Sequence, residues 1–201
     1  QVLNCFENMQ MRGVLPNSIT FVCMLKVCGI VQAIGKGHEI HTRIGHAYLD
    51  ENPFLGNALV DMYAKCGILL KAQQVLEELP VRDVVSWSSL IAGYAKHGQC
   101  HEALNCFEQM QSEGHYGDEV TFVSILKVCA SSRYIEKGKQ IHDEIVARGL
   151  PTKNIMLGNA LVDMYAKCGM MTKAQELHGK LYVKNVVSWN PHKEKQKIHE
   201  S

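Results

Sequence analysis

A run of thirteen residues, Leu55-Gly56-Asn57-Ala58-Leu59-Val60-Asp61-Met62-Tyr63-Ala64-Lys65-Cys66-Gly67, occurs twice in this chain, the second time from Leu157 to Gly169. Identity over that length ties two distant regions to one structural template, so the chain must be read as a repeat before it is read as anything else. A second pair of blocks, Leu3-Asn4-Cys5-Phe6-Glu7 and Leu104-Asn105-Cys106-Phe107-Glu108, returns at an offset of 101 residues where the first returns at 102. A single insertion therefore separates the blocks, most simply near Leu150 to Asn154. Inside the long period lie three related units, 84–118, 119–154 and 155–185, of 35, 36 and 31 residues.

Each unit carries two apolar stripes of helical period. Trp87, Leu90, Ile91 and Tyr94 form one, and Ala103, Cys106, Phe107 and Met110 form another after Gly98. In the next unit Phe122, Ile125, Leu126 and Cys129 are followed by Gly138, Ile141, His142 and Ile145, and Ala72, Val75, Leu76 and Leu79 show the same spacing earlier. Apolar residues at i, i+3, i+4 and i+7 mark amphipathic helices. Gly67, Gly98 and Gly169 fall between paired helices, where a left-handed cap suits glycine. Helices this short are marginal alone, so neighbours must stack into one continuous core. The predicted fold class is all-α, a right-handed α-solenoid of stacked antiparallel helical hairpins.

Composition narrows the function less than the repeat does. With 46% hydrophobic and 20% charged residues the chain has the material of an ordered protein. No segment approaches the roughly 18 consecutive apolar residues of a membrane span, so no membrane partner is expected. A formal net charge of +1 means that any positive surface must come from the placement of lysines, not their number. Eight cysteines without a Cys-x-x-Cys pair are expected to be reduced and mostly buried. The chain opens at Gln1 inside a helical pattern, without signal or transit features, and its true N-terminus is expected to lie upstream.

The segment Val84-Val85-Ser86-Trp87-Ser88-Ser89-Leu90-Ile91-Ala92-Gly93-Tyr94-Ala95-Lys96-His97-Gly98, with Glu102-Ala103-Leu104 and Phe107-Glu108-Gln109-Met110 after it, closely resembles the pentatricopeptide-repeat consensus. Asn57 to Gly67 resembles the short repeat of the plant subclass that alternates standard, long and short units. On that resemblance the chain divides into 1–17 (truncated standard), 18–52 (long), 53–83 (short), 84–118 (standard), 119–154 (long), 155–185 (short) and 186–201 (an aborted repeat and polar tail). The tail is expected to be frayed or weakly helical, since Pro191 falls where the next first helix would run.

The resemblance implies a single-stranded RNA partner, read one base per repeat by the fifth and last residues of a unit. The pairs are Asn57 with Asp83, Ser88 with Asp118 and Asn159 with Asn185, for which the family pattern implies uracil, guanine and cytosine. Asn17 and Asn190 are left without a complete unit. The second residues Phe54, Val85, Val120, Met156 and Val187 would sandwich bases, and Lys65, Lys96 and Lys167, thirteenth in their units, would meet phosphates. The long units have Val22 and Val123 in fifth place and Ile30 and Ser131 in thirteenth, and are expected to tolerate any base. The footprint is uracil, guanine, any base, cytosine. Family membership also implies a specificity factor for C-to-U editing or other RNA processing in mitochondrion or chloroplast, working with an editing deaminase or other RNA-processing protein.

Blander readings attach to the same residues. Asn57, Asn159 and Ser88 would equally serve as helix N-caps, and the three lysines as solvated charges favoured by helix C-termini. Trp87 and Trp189 read as core. His38-x-x-His41 and the His97, Cys100, His101 group do not form a closed ligand set, and the spacing does not recur in the second copy, so no metal, cofactor or catalytic residue is expected. The chain has no His-x-Glu with Cys-x-x-Cys deaminase signature and is not expected to be an enzyme. The rival reading is a tetratricopeptide-like scaffold for protein partners. Repeat arrays without polar caps also lead to an expectation of end-to-end self-association.

Overall fold

The computed structural model describes residue 6, residues 8 and 9, residues 11–150 and residues 155–188, with the side chains of 46–48, 50–51 and 182–188 outside that description. Cys5, Trp189, Asn190 and the 191–201 tail therefore fall outside it, as do the side chains of Asn185 and Val187. No strand occurs among the described residues. The helices are α1 (Ser18–Val31), α2 (Ile34–Glu51), α3 (Pro53–Lys65), α4 (Leu69–Glu78), α5 (Val84–Lys96), α6 (Cys100–Ser112), α7 (Glu119–Ser132), α8 (Ile135–Ala147), α9 (Ile155–Lys167) and α10 (Met171–Ser188).

Two compact units divide at Thr121. In the first, three hairpins form from α1 and α2, α3 and α4, and α5 and α6. Their leading helices stand side by side, α1 on α3 and α3 on α5, while α2 and α4 each also touch the leading helix that follows. The helix α3 is thus packed from both sides, and Leu55, Ala58, Leu59, Met62 and Tyr63 are all buried. The stripes of α4, α5 and α6 are buried as their spacing requires, Trp87 and Phe107 among them. In the second unit α9 pairs with α10 and packs on α8. Its core includes Phe122, Ile125, Leu126, Ile141, Ile145, Leu157, Leu161 and Met164.

Helix ends follow local chemistry. Asn17 caps α1, Asn52 caps α3 with Pro53 in the first turn, and Asp83 caps α5. Pro80 stops α4, because the residue before a proline avoids helical backbone and Leu79 is extended. Gly67, Gly98 and Gly169 take the left-handed conformation between paired helices, with φ of 78°, 73° and 82°. Between α1 and α2 and between α7 and α8 the same turn is made by Gln32 and Arg133, both at φ 55°, which an L-residue adopts only at a cost of about 1 kcal/mol.

Buried tyrosines tie three leading helices, α3, α5 and α9, to the helix before each. The Tyr63 hydroxyl meets Nδ1 of His41 at 2.9 Å and of His38 at 3.2 Å, Tyr94 donates to Gln73 Oε1, and Tyr165 meets His142 Nδ1 at 2.8 Å. One boundary departs from the expected frame. Where Pro80 ends α4, the second copy has Tyr182, and α10 runs on through 185 to Ser188. Asn185 consequently lies within a helix, not in the loop that leads into the next one.

Candidate nucleic-acid interface

The predicted stacking residues begin the leading helices and are left in solvent. Phe54 is 73% exposed, and Val85, Val120 and Met156 are each more than half exposed. Ile19 holds the equivalent place on α1 at 71% and belongs with them, although sequence reasoning passed over it. Its signal was available, since it follows the capping Asn17 as Phe54 follows Asn52 closely. An apolar side chain gains nothing from exposure in a first helical turn, yet it recurs at this one register position.

The fifth residues lie one turn further on, inside the helices. Asn57 is only 9% exposed and Ser88 is buried. Neither is an N-cap; Asn52 and Asp83 fill that role for α3 and α5. Instead each reaches the last residue of its own unit. Asn57 Nδ2 donates to Asp83 Oδ2 at 2.9 Å, and Ser88 Oγ lies 3.0 Å from Asp118 Oδ1.

Asp83 serves two helices at once. Its Oδ1 accepts the Ser86 amide at 2.9 Å, and Ser86 Oγ accepts the Asp83 amide in return, a capping box at the start of α5. Burial pushes the Asp83 carboxyl up, but hydrogen bonds from Asn57, Ser86 and Val85 outweigh it and hold the group below the usual carboxylate range. An ionised carboxylate only accepts hydrogen bonds, so it turns the Asn57 amide nitrogen toward itself. Asn57 Oδ1 is left buried with no partner. Such an orphan acceptor costs about 1–3 kcal/mol unless something else satisfies it.

The second copy is less complete. Asn159 is exposed and has no hydrogen-bond partner among the described residues, and the Asn185 side chain lies outside them. In the long units Val22 is half-buried and Val123 buried, so no polar group occupies the fifth place.

Lys65, Lys96 and Lys167 end α3, α5 and α9. Two of them are engaged: Lys65 Nζ lies 2.7 Å from Asp61 and Lys167 Nζ 2.9 Å from Asp163. Lys96 has Ala92 one turn back and no carboxylate partner among the described residues. The structure thus gives the solvated helix-end reading real weight for Lys65 and Lys167, and leaves Lys96 as the available cation.

Among the described residues, no group of three or more His, Cys, Asp or Glu residues is arranged to hold a metal ion. The Nδ1 atoms of His38 and His41 both face the Tyr63 hydroxyl. Cys28, Cys106 and Cys129 are buried, Cys23 is exposed, and Cys66, Cys100 and Cys168 lie between, so burial is less general than composition implies. Burial pushes the Cys106 thiol up to about 12 and raises Cys28, Cys66 and Cys168 as well, which keeps them in the unreactive protonated form.

Stacked helical hairpins with a register-matched row of exposed apolar and buried polar residues define an α-helical repeat protein of the solenoid class. Models of the PPR repeat match residues 57–84, 120–150 and 159–186, and the PPR repeat family model matches residues 82–131, together more than half of the chain. The chain belongs to the pentatricopeptide-repeat family.

Among its relatives in Arabidopsis thaliana, the chloroplastic pentatricopeptide repeat-containing protein At4g18520 is 37% identical over 94% of this chain and 30% of its own length. Pentatricopeptide repeat-containing protein At5g16860 is 42% identical over 87% of the chain and 21% of its own length. The chain thus spans less than a third of these relatives. The crystal structure of maize PPR10 in complex with an 18-nt psaJ RNA element shares the fold, with a TM-score of 0.73 and 24% identity over 90% of this chain and 28% of that one.

Proposed function

We propose that this chain binds single-stranded RNA, taking successive bases between the second residues of its leading helices and selecting them through the fifth and last residues of each repeat. The observation that carries this reading is Asn57: a buried amide whose Nδ2 is fixed by Asp83 and whose Oδ1 has no partner. An unpartnered acceptor suits uracil, whose N3–H is a donor, and not cytosine, whose N3 is an acceptor. The maize relative's complex with RNA supports the same direction.

The repeat frame of the alternating plant subclass, 18–52, 53–83, 84–118 and 119–154, goes with this proposal, and so do the pairs Asn57 with Asp83 and Ser88 with Asp118. The cytosine assignment at Asn159 and Asn185 rests on family pattern alone. Relatives named as chloroplastic and as mitochondrial support an organellar setting, where the chain would act as a specificity factor for RNA editing or processing. Base stacking contributes roughly 1–3 kcal/mol per base, and a millimolar complex already needs about 4 kcal/mol. With few readable repeats, binding by this chain should be weak and strongly salt-dependent.

The test is Asp83→Asn. Asparagine is an equal N-cap, so α5 keeps its start. It also offers an amide donor, which frees Asn57 to turn its own N–H toward the base. In gel-shift titrations at low salt, preference at one nucleotide should move from uracil toward cytosine while the others hold. An unaltered preference would remove the base code; indifference to RNA altogether, with capture of peptides, would favour the protein scaffold.

A further inference from the structure

The serine that would read the second base does not face its aspartate alone. Thr121, third residue of α7 and fully buried, lies between them. Its Oγ1 is 2.6 Å from Ser88 Oγ and donates to Asp118 Oδ1 at 2.7 Å, while its amide donates to the same oxygen at 2.9 Å. We infer that Thr121 is a positioning residue for base selection, holding the Ser88 hydroxyl so that it meets a base only as a hydrogen-bond acceptor.

Counting hydrogens leads to this result. Ser88 and Thr121 bring one hydroxyl hydrogen each, and Asp118 Oδ1 brings none. At 2.6 Å the two hydroxyl oxygens must share a hydrogen. Thr121 gives its hydrogen to Asp118 Oδ1, so the hydrogen shared by the two hydroxyls comes from Ser88. Both hydrogens are then consumed inside the triangle, and the Ser88 lone pairs remain. Guanine presents N1–H and N2–H donors on its Watson–Crick edge and is accepted, whereas adenine presents N1 as an acceptor and finds no hydrogen to take. Thr121 has no exposed surface, so it acts through Ser88 and not on the base.

The same device recurs on α1, where Thr20 directs its amide and its hydroxyl to Asn17 Oδ1, both at 2.9 Å. Third residues elsewhere behave differently. Ser86 donates its hydroxyl to the Asp83 backbone carbonyl at 2.8 Å and so leaves the Asn57 contact alone, while Leu55 and Leu157 are buried apolar side chains. Thr121 thus gives the pair of Ser88 and Asp118 a third member.

This inference rests on Ser88 as a base contact, and the experiment separates the two. The probes are single-stranded RNA oligonucleotides carrying uracil, guanine, any base and cytosine, with the second base set to guanine or adenine, titrated against the full 201-residue chain. Thr121→Val keeps the shape of the side chain and should cut the guanine-over-adenine ratio about three- to tenfold, the range expected for one lost hydrogen bond. Discrimination at the uracil position should not move. Thr121→Ser should restore the ratio, and thermal melts confirm that both variants fold. If Thr121→Val keeps the ratio while Ser88→Ala abolishes it, Thr121 has no such role. If neither substitution alters the ratio, Ser88 does not contact the base, and the inference falls with that assignment.

Discussion

Asn57 and Asp83 are 26 residues apart in the chain and are joined by a 2.9 Å hydrogen bond. One partner lies inside α3 and the other caps α5, so the bond spans the junction of two neighbouring hairpins. Stacking the hairpins is therefore what brings the two side chains together.

Phe54 offers the largest exposed ring at the second position. Phe54→Ala should lower RNA affinity by roughly 1–3 kcal/mol, the worth of one stacked base, without changing which base is chosen. Because the ring is 73% exposed, the melting temperature should barely change. Fluorescence anisotropy with labelled RNA alongside a thermal melt checks both halves; a large loss of stability would mean that the ring supports the fold.

The lysines should not be equivalent. Lys65 already faces Asp61 at 2.7 Å, whereas Lys96 has Ala92 in the matching place. Lys96→Ala should weaken binding more than Lys65→Ala and reduce the slope of log affinity against log salt by about 0.7, the value for one phosphate contact on a single strand. Equal slopes for the two variants would contradict a phosphate role for Lys96.

The close approach of α3 and α5 depends on Gly93. A Cβ built there would lie 2.7 Å from Ala64 Cβ and 3.3 Å from Ala64 Cα, and neither atom can move without its helix. Helix propensity favours Gly93→Ala by about 1 kcal/mol, but overpacking of a close contact typically costs 1–3 kcal/mol. Urea denaturation should show net destabilisation; a stabilised variant would mean that the two helices separate freely.

His142 should make stability depend on pH. Burial holds its imidazole below the ordinary value of 6.5, and Tyr165, itself raised by burial, stays protonated with its hydroxyl 2.8 Å from His142 Nδ1. The unfolded chain binds the proton more readily, so the contribution is fully present above pH 6.5 and is lost as pH falls through the lower, folded value. Between pH 7.5 and 5 the parent chain should lose more melting temperature than His142→Gln, whose side chain can still accept from Tyr165 without titrating. Parallel losses would place the pH dependence elsewhere.

Much of this architecture is legible without coordinates. The apolar stripe of Trp87, Leu90, Ile91 and Tyr94, the glycines at 67, 98 and 169 and the thirteen-residue block are local patterns, and local patterns suffice for short helices joined by tight turns. The same register identifies Phe54, Asn57 and Ser88 as candidates, because a repeat frame numbers residues consistently even when their surroundings are unknown. The end of α10 was not legible in the same way: the expected unit boundary at 185 depended on analogy with the first copy, whose Pro80 has no counterpart at Tyr182.

Sequence alone determined the helical period, the repeat and the residue types at each register position, since these depend on neighbours within a turn or two of backbone. Only the tertiary structure decided what those residues do. Asn57 is a buried partner of Asp83 and not a cap because α5 brings Asp83 against it; Lys65 is tied and Lys96 available because of what stands one turn back along each helix; and Thr121 joins Ser88 because α7 starts beside α5. Those relations depend on the distances between atoms far apart in the chain, and packing sets them.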